Sequence, residues 1–372
     1  MKTSSSQPKR IYINGRFLEQ PLTGVQRYTR ELLKNLDLLI SSGEISLPEN
    51  LKIICLAPKT IHEKPSWKNI RLQKVGRLNH NLWEQIELPF HARDGLLFSP
   101  ANIAPYFGKN QIVTIHDASV FAVPEAYSFT FRLKYKIIFH KLVKTAKKIF
   151  TDSAYSKKEI CRFLPAAPEK ISVIPLGHEH LLETKLVDDF LQKKKIGEKP
   201  YFLCVGSSSP HKNLKIVLEA AKNIQRDDFE IIIAGGNFSK VFQGEKIIEL
   251  PNVRHLGYVN DSELCTLYHS AKAFIFPSKY EGFGFPILES LSFGCPVITT
   301  REASIPEVGR EIVSYFDWND PHQLAALMNK TLDNQIPVLE EKTIKTHLSL
   351  FTWKKCTLET FHGIIKVIME QE

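Results

Sequence analysis

The stretch FIFPSKYEGFGFPILESLSFGCPVITT, residues 274–300, decides the fold. It begins and ends with short apolar runs that have the length and β-branched content of buried strands. Between them, a glycine-containing loop leads into an apolar helical segment that opens at Pro286 and stops before Gly294. A strand, a helix and a second strand in this order form a βαβ unit, which predicts a parallel sheet.

The same alternation continues outward through both halves of the chain. The first set of predicted strands is 10–13, 51–56, 95–98, 111–115, 148–151 and 171–174. The second set is 201–206, 230–234, 253–256, 273–276, 297–300 and 312–315. The predicted helices include 25–36, 129–146, 213–224, 262–270 and 286–293.

The chain has 372 residues, and a single core rarely grows beyond about 250 residues. We therefore predict an α/β protein of two doubly wound, Rossmann-like domains that face each other across a cleft. The predicted domains are residues 1–185 and 186–352, followed by a helix at 353–372 that crosses back to the first domain.

The amino-acid composition indicates which class of partner and which cellular compartment to expect. The formal net charge of +9 favours an anionic ligand or surface. Six cysteines without a CxxC pair are typical of reduced core thiols in a cytoplasmic protein. The polar start of the chain has no signal-peptide pattern, and no apolar run reaches the roughly 18 residues that span a bilayer. We expect a cytoplasmic protein whose membrane contact, if it has one, is peripheral.

The loop and helix within residues 274–300 carry the strongest candidate for chemistry. Gly282 and Gly284 allow a ligand to approach the backbone, and the start of the following helix offers free N–H groups to a phosphate. Glu281 in the loop and Glu289 in the helix can both reach a ligand that carries several hydroxyl groups. Two glutamates at this spacing are, taken alone, more often an ordinary loop residue and a solvent-facing helix residue.

The wider pattern resembles the donor-binding signature of glycosyltransferase family 4, in which two glutamates are separated by seven residues around a GFG and a proline. The resemblance implies the GT-B fold and retaining transfer from a nucleotide diphosphate sugar. It also implies that Glu281 contacts the donor sugar and Glu289 the ribose. The backbone of Gly282, Phe283, Gly284 and Phe285 would then help to bind the diphosphate.

The segment GSSSPHKNL, residues 206–214, follows the first predicted strand of the second half. It is similar to the family segment in which a basic pair binds the donor phosphates. Lys212 fits that pattern, whereas His211 stands at the usual arginine position, so its charge depends on pH. Gly206 permits a tight turn after the strand, and Asn213 is a candidate helix cap. Sequence alone leaves open how the loops at 235–238 and 257–260 read the nucleotide base.

Two segments of the first half are also similar to the family. QIVTIHDASV, residues 111–120, places His116 and Asp117 directly after an apolar strand. The resemblance implies that His116 lies against the donor sugar as a catalytic residue, and we place Asp117 on the acceptor side. LTGVQRYTRELL, residues 22–33, opens a helix at Gly24 and Val25, whose N–H groups the resemblance assigns to the diphosphate, with Thr23 as the expected cap.

The predicted helix at 129–148 is basic and amphipathic. It carries seven lysines and arginines, no acidic residue and several aromatic side chains. This pattern suits an anionic membrane surface, and a solvated face on a core helix explains it equally well. Similar glycosyltransferases that use lipid-linked acceptors often dock on membranes in this way.

The expected activity is transfer of a hexosyl unit, with mannose from GDP-mannose as the first choice, to a surface polysaccharide or a lipid-linked oligosaccharide such as an O-antigen precursor. Donors carrying UDP or dTDP remain open, as does a binding protein of the same fold without activity.

We expect no metal, because the sequence has no DxD-type cluster and Lys212 with a helix terminus can supply positive charge. A dinucleotide-dependent oxidoreductase is disfavoured because neither half carries GxGxxG. Nucleic-acid binding would explain the charge but not Glu281 and Glu289.

Overall fold

The computed structural model describes residues 9–207, 209–236, 250–337 and 339–370. Thirteen strands in this part of the chain form two sheets, and every pairing between them is parallel. The first sheet has the order β3-β2-β1-β4-β5-β6-β7. Its strands are β1 (Lys9–Asn14), β2 (Leu51–Ala57), β3 (Ile70–Lys74), β4 (Leu96–Ser99), β5 (Gln111–Thr114), β6 (Lys148–Thr151) and β7 (Ile171–Val173).

The second sheet has the order β10-β9-β8-β11-β12-β13. Its strands are β8 (Tyr201–Val205), β9 (Glu230–Ala234), β10 (Val253–Gly257), β11 (Ala273–Phe276), β12 (Val297–Thr300) and β13 (Ser314–Phe316). The inner strands of both sheets are apolar and largely buried, as parallel strands covered by helices on both faces must be. The edge strands β3, β7, β10 and β13 are only partly buried. The predicted α/β fold with two parallel sheets is confirmed.

The helices connect these strands. They are α1 (Gly24–Ser41), α2 (His80–Leu82), α3 (Leu88–His91), α4 (Ser119–Ala122), α5 (Phe129–Thr145), α6 (Ala154–Phe163), α7 (Phe190–Lys193), α8 (Leu214–Lys222), α9 (Asp261–Ser270), α10 (Phe285–Ser292), α11 (Ile305–Gly309), α12 (Pro321–Leu332), α13 (Glu341–Leu348) and α14 (Trp353–Met369). A π-helical turn, Trp83–Glu87, joins α2 to α3.

The chain divides into two compact units. The first runs to Ala122, resumes at Ser128–Gly177 and ends with the segment that starts at Trp353. The second contains Val123–Tyr127 and His178–Thr352. The boundary therefore falls before His178, ahead of the predicted 185/186, and His178 and His180 form hydrogen bonds with residues of α10. Helix α14 packs against α1 within the first unit.

Two local predictions were wrong. Strand β3 was not predicted, because its sequence IRLQK is mostly polar and only Ile70 is buried. Asn213 was expected to cap the next helix, yet its φ is +54° and its side chain does not cap α8. Its side-chain amide instead donates a hydrogen bond to the carbonyl of Trp318 at 2.8 Å, so this asparagine ties two loops together.

Each sheet has one topological switch point. In the second sheet it lies between β8 and β11, since the chain builds β9 and β10 on one side and then crosses to the other. In the first sheet it lies between β1 and β4. The loops that follow the carboxyl ends of such neighbouring strands form the usual ligand crevice of doubly wound sheets.

Candidate functional site

The strongest site candidates of the second unit follow the two strands of its switch point. Gly206, His211 and Lys212 follow β8, and the loop from Lys279 to Gly284 follows β11. The backbone N–H of Lys279 donates a hydrogen bond to the carbonyl of His211 at 2.8 Å, so the two loops are joined. The fold therefore brings together two motifs that are distant in sequence.

Lys212 and Glu281 form an ion pair at this point. The Nζ atom of Lys212 lies 2.7 Å from Oε1 of Glu281. The side chains are 21% and 13% exposed, respectively, so solvent and a ligand still reach both of them. The ammonium also lies 5.7 Å from the centre of the Phe276 ring. A cation held in a half-buried loop in this way is well suited to an anionic ligand.

Ser304 holds the loop that carries Glu281. Its hydroxyl lies 2.9 Å from the carbonyl oxygens of both Glu281 and Phe283, so one hydrogen is shared between them. Ser304 is fully buried. Gly284 ends the loop with a φ of +115°, a conformation that L side chains rarely adopt, and α10 starts directly after it. Phe283 is buried, while Phe285 and Gly282 are partly exposed.

Glu289 lies one turn into α10 and is buried rather than solvent-facing. Its Oε1 atom accepts a hydrogen bond from Nε2 of His180 at 2.8 Å, and its Oε2 atom accepts one from the hydroxyl of Tyr268 at 3.2 Å. Burial, and then the Glu289 carboxylate, raise the pKa of Tyr268 well above its ordinary value. Tyr268 therefore remains a hydrogen-bond donor.

Gly206 lies at the end of β8, where its N–H donates to the carbonyl of Ala234 at 3.1 Å. The neighbouring Gly235 has a φ of +97°, and a Cβ atom there would lie 2.6 Å from the carbonyl oxygen of Gly206. Gly235 also donates to the carbonyl of Gly257 at 2.6 Å. The loops that we expect to read the base are thus tied together at their first residues, while 237 and 238 fall outside the described residues.

His116 lies in the first unit, just after β5. Its Nδ1 atom is 2.8 Å from a carboxylate oxygen of Asp152, and its Nε2 atom is 3.0 Å from the carbonyl oxygen of Pro100. The edge of its ring meets Tyr28 at a centroid distance of 4.7 Å. Burial lowers the pKa of His116, but the carboxylates of Asp152 and Asp117 and the carbonyl of Pro100 together outweigh burial, and the pKa is raised. Burial also raises the pKa of the Asp152 carboxyl group, although His116 opposes that shift. The carbonyl of Pro100 only accepts, so Nε2 of His116 carries a hydrogen.

The role of His116 at a donor sugar stays a prediction. The residue is 5% exposed and both nitrogens are occupied, so a proton transfer from this ring would break one of the two bonds. Asp117 accepts a hydrogen bond from the backbone N–H of Ser119 at 2.8 Å, which fixes the short turn that begins α4.

Gly24 and Val25 form the first positions of α1, as expected, and Gly24 is exposed. Thr23 occupies the N-cap position, but its side chain makes no capping bond to the backbone. Its hydroxyl instead contacts the side-chain amide oxygen of Gln26. The N-terminus of α1 is therefore left without the side-chain cap that the sequence predicted.

Four residues of these arrangements were not identified as site residues from sequence. They are Asp152, His180, Tyr268 and Ser304. The position of Asp152 was a usable signal, since it follows the apolar strand β6 directly, as His116 lies just after β5. In the part of the chain that the structure describes, no three His, Cys, Asp or Glu side chains are arranged to hold a metal ion. Within the same part, every helix is too short or too polar to cross a membrane.

Most of the second unit matches a known protein family. Residues 187–346 match the family model of glycosyl transferases group 1. The chain is 28% identical over 379 aligned positions to O-antigen chain mannosyltransferase B of Escherichia coli, covering 93% of this chain and 97% of the relative.

Two solved structures share the fold. Sucrose-phosphate synthase from Thermosynechococcus elongatus superposes with a TM-score of 0.71 at 17% identity, covering 97% of this chain and 100% of that chain. Anabaena HepE in complex with UDP and glucose gives a TM-score of 0.66 at 13% identity, covering 96% and 99%. The resemblance to glycosyltransferase family 4 is confirmed. Residues 187–346 match the model of glycosyl transferases group 1, the chain is similar over nearly its whole length to an O-antigen mannosyltransferase, and it shares the GT-B fold.

Proposed function

We propose that this glycosyltransferase moves mannose, with retention, from GDP-mannose to a surface polysaccharide or its lipid-linked precursor. The observation that carries the proposal is the Lys212–Glu281 pair at the switch point of the second sheet. The choice of mannose is supported by the relative from E. coli, which aligns over nearly the whole of both chains and is named an O-antigen chain mannosyltransferase.

The proposed chemistry uses positive charge rather than a metal. As the bond from the sugar to the diphosphate breaks, negative charge grows on the leaving phosphate. Lys212 and the backbone N–H groups of the loop and first turn of α10 supply the compensating charge, with His211 adding to it when protonated. Glu281 then binds the sugar and Glu289 the ribose.

The test is a panel of GDP-, UDP- and dTDP-sugars, in which nucleoside diphosphate release is measured with and without a lipid-linked acceptor. We expect release from GDP-mannose that depends on the acceptor, that survives a metal chelator, and that yields a product with the donor's anomeric configuration by NMR. Faster release of nucleoside diphosphate from a UDP- or dTDP-sugar would indicate that this sugar nucleotide, and not GDP-mannose, is the donor. Binding of a nucleotide without any release would indicate an inactive binding protein.

We propose that the first unit also contacts an anionic membrane on the cytoplasmic face. Helix α5 exposes Phe129, Leu133 and Ile137, which share one face because they are four residues apart. The segment from α2 to α3 exposes a second stripe with the same spacing, consisting of Leu82, Ile86 and Phe90.

The two stripes belong to one surface. Nζ of Lys134 on α5 donates to the side-chain oxygen of Asn81 on α2 at 2.6 Å, so the two helical segments are neighbours. The lysines and arginines of residues 129–148 surround the first stripe without an acidic residue among them. Apolar side chains ringed by cations match the interface of an anionic bilayer, where a lipid-linked acceptor would be found.

A further inference from the structure

The carboxylate of Glu289 is held by two donors from different parts of the second unit. His180 belongs to the turn Glu179–Leu181, close to the start of that unit, and its side chain is fully buried. Tyr268 belongs to α9, and its side chain is also buried. The glutamate side chain itself is 9% exposed, so a narrow part of it remains accessible.

The two bonds leave room for a ligand. An ionised carboxylate has about four acceptor positions, and His180 and Tyr268 occupy one on each oxygen. Since a carboxylate only accepts, Nε2 of His180 carries a hydrogen. The remaining positions can accept from two hydroxyl groups, and their direction is set by the two side chains that fix the carboxylate.

A second histidine of the same segment provides an internal comparison. Nδ1 of His178 lies 2.8 Å from Oγ of Ser292, one turn after Glu289 on α10. Ser292 donates its own hydrogen to the carbonyl of Leu288 at 2.7 Å, so His178 is the donor of the bond between them. The segment is thus attached to α10 at two points, only one of which touches the carboxylate.

We propose that His180 and Tyr268 are positioning residues for nucleotide binding, which hold the Glu289 carboxylate in the orientation that accepts the ribose hydroxyls. This inference rests on the proposed function, because it takes the donor site to be the loop and helix that carry Glu281 and Glu289. His178 is a structural anchor of the same segment and has no part in the orientation.

The test measures the affinity of GDP and UDP by calorimetry for the full chain and its variants. His180→Leu and Tyr268→Phe should each weaken binding of the cognate nucleotide by about ten-fold, the effect of one hydrogen bond to a charged group. His180→Gln, which keeps a side-chain N–H donor, should retain most of the affinity. His178→Ala, the matched control, should bind as the wild type does even if its unfolding midpoint falls. If His180→Leu does not fold, the proposal is tested by comparing the nucleotide affinities of Tyr268→Phe and His180→Gln with that of His178→Ala.

Glu289→Ala separates this inference from the function on which it rests. Weak binding in Glu289→Ala together with wild-type binding in His180→Leu and Tyr268→Phe would overturn the positioning role alone. Equal weakening in His180→Leu and His178→Ala would also overturn it, because a loosened segment would then explain both. Wild-type affinity in Glu289→Ala would overturn the assignment of the donor site and the inference with it.

Discussion

Lys212 and Glu281 are 69 positions apart in the chain, yet Nζ of the lysine lies 2.7 Å from Oε1 of the glutamate. The switch point between β8 and β11 brings them together, because the loops after these two strands meet at one edge of the sheet. In the proposed function, a diphosphate that binds Lys212 competes with Glu281 for the same ammonium. We expect this competition to release the carboxylate for the hydroxyl groups of a sugar.

This competition predicts opposite effects of two substitutions on the binding of GDP without a sugar. Lys212→Ala should weaken the binding of GDP by about ten-fold, since it removes a charged contact to phosphate. Glu281→Gln should leave GDP affinity unchanged or tighten it, because the lysine loses its competitor. Calorimetry on both variants checks the pair. Comparable weakening in the two would mean that Glu281 supports phosphate binding instead of competing with it.

Ser304 should affect the site through the loop it holds. Ser304→Ala leaves the carbonyls of Glu281 and Phe283 without their shared donor, which should lower the free energy of unfolding by about 1–3 kcal/mol and raise the KM for the donor. Ser290→Ala is the control, since Ser290 is equally buried and donates to the carbonyl of Cys295 at 3.0 Å, outside that loop. Ser290→Ala should lose a similar amount of stability while its KM for the donor stays unchanged. Equal KM values for the donor in Ser304→Ala and Ser290→Ala would contradict a role of the Glu281 loop in donor binding.

The raised pKa of His116 predicts a pH-dependent contribution to stability. The folded protein binds the proton more tightly than the unfolded chain, whose histidine has the ordinary value of 6.5. The contribution is therefore complete below pH 6.5 and is lost as the pH rises through the folded pKa. The difference in unfolding free energy between wild type and His116→Gln should shrink as the pH rises above 6.5. A difference that stays constant as the pH rises above 6.5 would refute the raised pKa.

The exposed stripes of the first unit predict binding to anionic vesicles. Replacing Leu133 and Ile137 with serine should reduce sedimentation with phosphatidylglycerol vesicles by at least about ten-fold, because two apolar side chains lose their burial. Leu38→Ser is the control, since Leu38 is also exposed on a helix of this unit but belongs to α1 and to neither stripe. Equal binding by the double variant and the control would exclude this surface as the contact.

Local patterns predicted the strands well where both faces are buried. All six predicted strands of the second sheet are present, because continuous apolar runs such as residues 273–276 leave little choice. The edge strand β3 was missed, since an exposed strand needs few apolar residues. Asn213 was misassigned as a cap because its backbone conformation depends on its bond to Trp318, which is distant in sequence.

The candidate site shows the same difference between features that local sequence predicts and features that depend on contacts distant in sequence. The motifs predicted Lys212, Glu281 and Glu289, because each belongs to a contiguous pattern around a strand end. The partners that fix them come from other elements: His180 and Tyr268 hold Glu289, and Ser304 holds the loop of Glu281. The burial of Glu289 follows from these tertiary contacts and not from its helical position. A sequence pattern thus identifies candidate ligand-binding residues more readily than the residues that hydrogen-bond to them.

The central claim, that Lys212 and Glu281 form the donor site of a working mannosyltransferase, is tested most directly by one rate measurement. GDP release from GDP-mannose is followed for wild type, Lys212→Ala and Glu281→Ala in the presence of a lipid-linked saccharide acceptor. We predict steady release by the wild type and a loss of at least about ten-fold in each variant, with all three proteins equally folded by circular dichroism. Equal rates in the three proteins, or no release by the wild type with any donor, would contradict it.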